Sequence, residues 1–372
     1  MSLLKDIYSA PFYNKLADSL IRVIPEFNKT QFIEQIYAEG FRLMELKQRM
    51  HHTTLVIHQF LPAGYPQAVQ HLFSLIEQLR KEDTGEDQLA YIFLPDYIET
   101  YGLDDYETSV KAIEFVTQFI SCEFAVRPFL VQYGGQMIRQ MEKWSLHESH
   151  KVRRLASEGS RPGLPWAMAV PELKKDPSSI LPILENLKQD PSEWVRKSVA
   201  NSLNDISKNH PEIIIAIASR WRGLSKETDA IVKHGCRSLL KQGHFKILAH
   251  YGLESTHIEL NNFEILTPEV AIGDSLEFTI TVKNIAQHLQ KIRLEYAVYY
   301  KRLNGQPAKK VFKISERDYQ ANETAVINRK QSFKIITTRK FYPGHHQLAV
   351  ILNGQEKERK DFVLHQAAAQ SV

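Results

Sequence analysis

Glu158 and Asp205 are the side chains whose placement in this sequence most calls for a chemical explanation. Each falls near the end of a segment with helical apolar spacing. The negative end of the helix dipole opposes a carboxylate there by a few tenths to about 1 kcal/mol. Paired acids in unfavourable positions are candidates for acid–base or electrostatic work. The structural alternative pairs Glu158 with Arg154 at i−4, and Asp205 with Lys197 or with solvent. Gly159, directly after Glu158, reads as a helix C-cap. A basic cluster of His150, Lys151, Arg153, Arg154 and Arg161 surrounds the first acid, as expected either for phosphate binding or for a solvated helix face. Trp166 follows Pro162-Gly163-Leu164-Pro165, and the two prolines stiffen its approach. It is either a core anchor between helices or an indole held out for a ligand. Trp194 and Trp221 read as packing residues between helices.

Other chemistries lack their residues. The chain has 2 cysteines, Cys122 and Cys236, with no CxxC or Cys/His cluster, so no metal and no cofactor is expected. No glycine-rich phosphate loop, HExxH or GxSxG occurs. His51-His52 and His345-His346 lack ligand spacing and read as surface residues. No apolar stretch is long enough to span a bilayer, and Lys5, Asp6, Lys15 and Asp18 interrupt any signal-peptide core. The expected compartment is reducing and cytoplasmic, bacterial in type, with no membrane partner. Net charge is −6 over residues 1–106, +6 over 107–252 and +4 over 253–372. That asymmetry fits a polyanionic partner for the middle and C-terminal parts, or a chance partition of surface charge.

The elements that position these residues form a repeat. In SSILPILENLKQDPSEWVRKSVANSLNDISK one helix carries Ile180, Leu181, Ile183, Leu184 and Leu187. Asp190-Pro191 then turns the chain, and Ser192 is placed to cap a second helix bearing Val195, Val199 and Leu203. The Val-basic signature recurs at Val110-Lys111, Val152-Arg153, Val195-Arg196 and Val232-Lys233, so the steps are 42, 43 and 37 residues. Such spacing predicts HEAT-like helix pairs stacked into a solenoid with a concave face. Counting each Val as zero, positions +2, +6 and +10 form a second stripe. It holds Arg154 and Glu158 in one repeat, Lys197, Asn201 and Asp205 in the next, and His234, Ser238 and Gln242 in a third. Residues 12–100 read as less regular capping helices.

After about Thr256 the periodicity changes to two. Leu276, Phe278, Ile280 and Val282 alternate with polar residues, and runs follow at 292–300, 310–314, 326–336, 347–352 and 360–364. Asn304-Gly305 and Asn353-Gly354 are hairpin-turn dipeptides. Residues 257–365 therefore read as an immunoglobulin-like β-sandwich without the disulfide or core tryptophan of antibody domains. Residues 1–252 form the helical domain, and 366–372 a frayed tail.

The segment VRRLASEGSRPGLPW, followed by DPSEWVRKSVANSLNDISK, resembles the HEAT-like alkylpurine DNA glycosylases, in particular the AlkC branch of the AlkC/AlkD superfamily. The resemblance covers roughly residues 1–250, and an appended immunoglobulin-like domain fits that branch. It implies that Glu158 and Asp205 are catalytic, that Trp166 contacts the lesion-bearing nucleotide, and that Arg154 supports the site. Glu123 corresponds to a further acid near the pocket. Arg153, Arg161 and Lys197 are the accompanying candidates for contact with DNA. The implied substrate is double-stranded DNA carrying small cationic lesions of the 3-methyladenine class, with 3-methylcytosine and 1-methyladenine as further candidates. The implied reaction is hydrolysis of the N-glycosidic bond, without enclosure of a flipped base, by a monomer. The β domain, with Lys309, Lys310, Lys313, Arg329, Lys330, Lys334, Arg339 and Lys340, is expected to clamp the duplex, or else to serve as a folding module. Two other readings stay open: a non-catalytic HEAT scaffold for nucleic acid or protein, and a glycosylase for RNA or bulkier lesions.

Overall fold

The structure is a computed structural model that describes every residue except 1–2, 39, 83–88, 254–256, 304, 337–338 and 368–372. Asn304 of the first hairpin dipeptide and most of the expected tail therefore lie outside the described residues. The chain divides into two compact units, Met1–His210 with Trp221–Gly235, and Pro211–Arg220 with Cys236–Val372.

In the first unit, helices Ala10–Ile21, Lys29–Ile36, Leu46–His58, Tyr65–Lys81 and Phe93–Tyr101 precede the repeats. The signature valines then fall on helices Tyr106–Val116, His150–Gly159, Glu193–Ser207 and Lys226–Gly235. Val152, Val195 and Val232 are buried, as are Val199 and Leu203. Helix Glu193–Ser207 packs against both His150–Gly159 and Lys226–Gly235, so the acid-bearing helices are direct neighbours. Ser157 and Ser198 join the first two through a hydroxyl hydrogen bond, Oγ to Oγ 2.7 Å. Gly159 is not the C-cap expected of it. The helix runs through it to a cap at Ser160. A Cβ on Gly159 would lie 2.6 Å from Val126 Cγ1, so the glycine admits a close helix crossing. Ser192 occupies the N-cap of Glu193–Ser207 without a side-chain capping bond. Asp190 organises that turn instead, its Oδ1 accepting from Ser192 N at 2.8 Å.

In the second unit, strands β1 (Ile258–Ile265), β3 (Ser275–Asn284) and β6 (Thr324–Ser332) form one sheet in the order β1-β3-β6. The other runs β2-β8-β7-β4-β5, from β2 (Glu269–Ala271), β4 (Gln290–Tyr300), β5 (Ala308–Tyr319), β7 (Gly344–Leu352) and β8 (Gln355–His365). Leu276, Phe278, Ile280 and Val282 of β3 meet Ile292, Leu294 and Val298 of β4 and Leu348 and Val350 of β7 in one core. This is the expected two-sheet, immunoglobulin-like packing. Asn353 and Gly354 both take positive φ, 45° and 76°, and close the β7–β8 hairpin. Two expectations need correction. β6 stops at Ser332, because Phe333 turns inward and donates its N–H to Asp274 O. His346 is buried, with Nε2 on the Tyr342 carbonyl, and is no surface residue. Among the described residues, no helix is long and apolar enough to cross a membrane.

Candidate active site

Arg161 holds the two acids together. Its Nη1 donates to Glu158 Oε1 at 2.5 Å and its Nε to Asp205 Oδ2 at 2.8 Å. All three residues are buried, at 6–7% exposure. The expected structural partners are thus wrong for both acids: Glu158 does not pair with Arg154, nor Asp205 with Lys197. Burial works against the charged guanidinium, yet the adjoining Glu158 and Asp205 carry the Arg161 pKa above the ordinary arginine value. Asp205 is fully engaged, since its Oδ1 also accepts from Lys208 Nζ at 2.9 Å. Glu158 is not: its Oε2 has no hydrogen-bond partner among the described residues and is not sealed from solvent. Gly163 lets the loop lie directly on Asp205, because a Cβ there would stand 3.2 Å from its carboxyl carbon.

The loop after Glu158 is fixed by Arg127, which sequence reasoning missed. Arg127 is 1% exposed and donates to three carbonyls, Gly159 and Arg161 from Nη1 at 2.8 and 2.9 Å, and Met168 from Nε. Burial lowers its pKa to about 10. A signal was present in the sequence: Arg127 is the one charged residue in the helix Val126–Tyr133. Between these anchors Trp166 is 76% exposed, which rules out the core-anchor reading. Its φ is +64°, left-handed for a residue with a side chain, at a cost of about 1–2 kcal/mol. Its carbonyl accepts from Lys47 Nζ at 2.6 Å.

Beside the pair, Arg154 Nη1 donates to Glu123 Oε2 at 2.6 Å and to Ser121 Oγ at 3.2 Å. The guanidinium lies 4.2 Å from the Trp194 ring centroid. Trp194, expected to be packing alone, is 39% exposed and serves as a platform for Arg154. Arg153 belongs elsewhere. Its fork takes both oxygens of buried Asp190 at 2.6 and 3.1 Å, and Nη1 donates to the His147 and Glu148 carbonyls. It bridges the repeats and has little left for a phosphate. Lys197 is exposed and makes no ion pair with either acid among the described residues.

Fold and site together define a helical-repeat protein with a guanidinium-bridged carboxylate pair beside an exposed indole, continued by an immunoglobulin-like domain. Residues 46–220 match the DNA alkylation repair enzyme family, and residues 259–366 match the C-terminal Ig-like domain described for the uncharacterised protein YhaZ. The chain is 44% identical over 363 residues to the uncharacterized protein YhaZ of Bacillus subtilis (strain 168), covering 97% of this chain and 99% of that one. It is also similar to the alkylpurine DNA glycosylase AlkC of Pseudomonas fluorescens, in a structure bound to DNA containing an abasic site analog. There the identity is 34% and the TM-score 0.92, over 98% of this chain and 100% of that one. The chain belongs to the DNA alkylation repair enzyme family.

Proposed function

We propose that this protein is a DNA glycosylase that hydrolyses the N-glycosidic bond of cationic alkylated bases, the 3-methyladenine class first. The observation that carries the reading is the unequal engagement of the two acids on Arg161, with Glu158 Oε2 left open and Asp205 doubly bonded. An alkylated ring nitrogen makes the base positive, and that base departs neutral, so no strong general acid is required. The charge that develops sits on the sugar as an oxocarbenium ion. Glu158 and Asp205 stabilise that charge from fixed positions, which costs no reorganisation during the reaction. Glu158 Oε2 has the free lone pairs to orient and deprotonate the attacking water. Asp205 acts as a fixed negative charge. Trp166 offers its indole to the cationic nucleotide, an interaction of about 0.5–2 kcal/mol. Arg154, with Glu123, supports the adjacent surface, and Arg161 holds the acids rather than the DNA. The likeness to a glycosylase solved on abasic DNA supports the same partner, double-stranded DNA, for this chain.

The second unit is proposed to add phosphate contacts. Lys309, Lys313 and Lys330 are taken by Glu356, Glu316 and Glu277. Lys310, Lys334, Arg339 and Lys340 have no acidic partner among the described residues and are the cations to test. Burial lowers the Lys310 pKa, and nearby Arg339 and Lys241 lower it further, as in a surface that gathers like charge.

The test uses duplexes with one 3-methyladenine, one 3-methylcytosine or one uncharged lesion such as uracil, with an RNA control. The proposed chemistry requires release of the cationic bases and none of the neutral one. Release of uracil at a similar rate would point to general-acid chemistry, and DNA binding without any release would favour the scaffold reading.

A further inference from the structure

Lys47 comes from helix Leu46–His58, 119 residues before the loop it touches. Its ammonium donates to the Trp166 carbonyl and lies 5.3 Å from the centroid of Phe124, the residue after Glu123. One cation thus joins the residue that bears the exposed indole to the segment that bears Glu123. The Trp166 indole has no ring contact or hydrogen bond of its own among the described residues. The backbone from which it springs is held in the left-handed region. Arg127 fixes the carbonyls on either side of Trp166, at Arg161 and Met168, but not the one at Trp166 itself. Lys47 supplies the missing tie. The Lys47 charge also lowers the pKa of Glu99, while its hydrogen bond goes to the Trp166 carbonyl.

We propose that Lys47 is a positioning residue that aims Trp166 at the bound nucleotide by holding its carbonyl against the Phe124 edge of the site. The proposal rests on the glycosylase reading for its kinetic consequence, but not for its structural one. Lys47→Met keeps the chain length and removes the donor, whereas Lys47→Arg keeps a donor.

The first measurement is 19F NMR of protein labelled with 5-fluorotryptophan. The 4 tryptophans give distinguishable signals, and Trp166→Phe assigns one of them. Lys47→Met should shift and broaden the Trp166 signal alone, and Lys47→Arg should largely restore it. The second is single-turnover base release. Lys47→Met should lower the rate by about 10- to 100-fold, as expected for a misaimed group. Affinity for undamaged duplex should change by less than about twofold, and the loss should vanish in a Trp166→Ala background. An unmoved Trp166 signal would overturn the proposal. So would a rate loss that persists without Trp166 and comes with a shallower salt dependence, which would make Lys47 a phosphate contact. If the wild-type protein releases no base, the glycosylase reading fails, and the fluorine signal alone decides the role of Lys47.

Discussion

Arg161→Met separates the two acids from their shared cation without creating a large cavity. In the wild-type protein Arg161 is 7% exposed, and its guanidinium makes bonds of 2.5 and 2.8 Å to residues 6% and 7% exposed. Removing one partner of a buried ion pair costs about 3–5 kcal/mol. Asp205 retains Lys208, so its side of the loss is partial, while Glu158 loses its one hydrogen-bond partner among the described residues. The expected cost is about 4 kcal/mol, which lowers the Tm of the helical unit by about 10 °C. The assay is thermal unfolding of both proteins at pH 8, followed by circular dichroism. A variant that melts within about 3 °C of wild type would refute the view that Arg161 neutralises a buried acid pair.

Arg127→Met leaves the Gly159, Arg161 and Met168 carbonyls without their donor and should cost about 3–5 kcal/mol, with faster proteolysis between residues 159 and 168 as the local readout. Arg153→Met should lower Tm through the loss of its buried Asp190 partner, yet leave the salt dependence of DNA binding unchanged; a shallower slope would return Arg153 to the DNA contacts. Burial raises the Glu99 pKa from 4.5 to about 7, with Asp96 adding to the shift and Lys47 and His51 opposing it. That penalty is absent below the unfolded value and grows as pH rises through about 7. Glu99→Gln should thus leave Tm nearly unchanged near pH 4 and raise it at pH 8, and equal effects at both would contradict the assignment.

The repeat was legible because helical periodicity and the Val-basic spacing are local and recur, so Val152, Val195 and Val232 could be placed on helices and in the core before any packing was known. Period-two alternation did the same for β3, and Asn353-Gly354 for the β7–β8 turn. The partners of Glu158 and Asp205 were not legible, because i−4 logic considers only a residue's own helix. Their partner Arg161 lies in the loop beyond the first helix and reaches across to the second. Chain position suggests a cap at Gly159, whereas its smallness serves a crossing with the helix of Val126. Arg153 and Arg154 are adjacent and alike in type, but they point to opposite tasks, one to Asp190 and one to Glu123. Only the angular position on the helix separates them. Arg127 stands out as the one charged residue of its helix, but its targets, like that of Lys47, are backbone carbonyls, which carry no residue identity for a sequence to reveal.

The most direct test of the account is single-turnover release of 3-methyladenine from duplex DNA by wild type, Glu158→Gln and Asp205→Asn. Binding to an abasic-site duplex and Tm are measured alongside. The account predicts release by wild type and losses of about 100-fold or more in both variants, with binding retained. Release at wild-type rates by both folded variants would contradict it and leave the acids with a structural role only, as partners of Arg161 and Lys208.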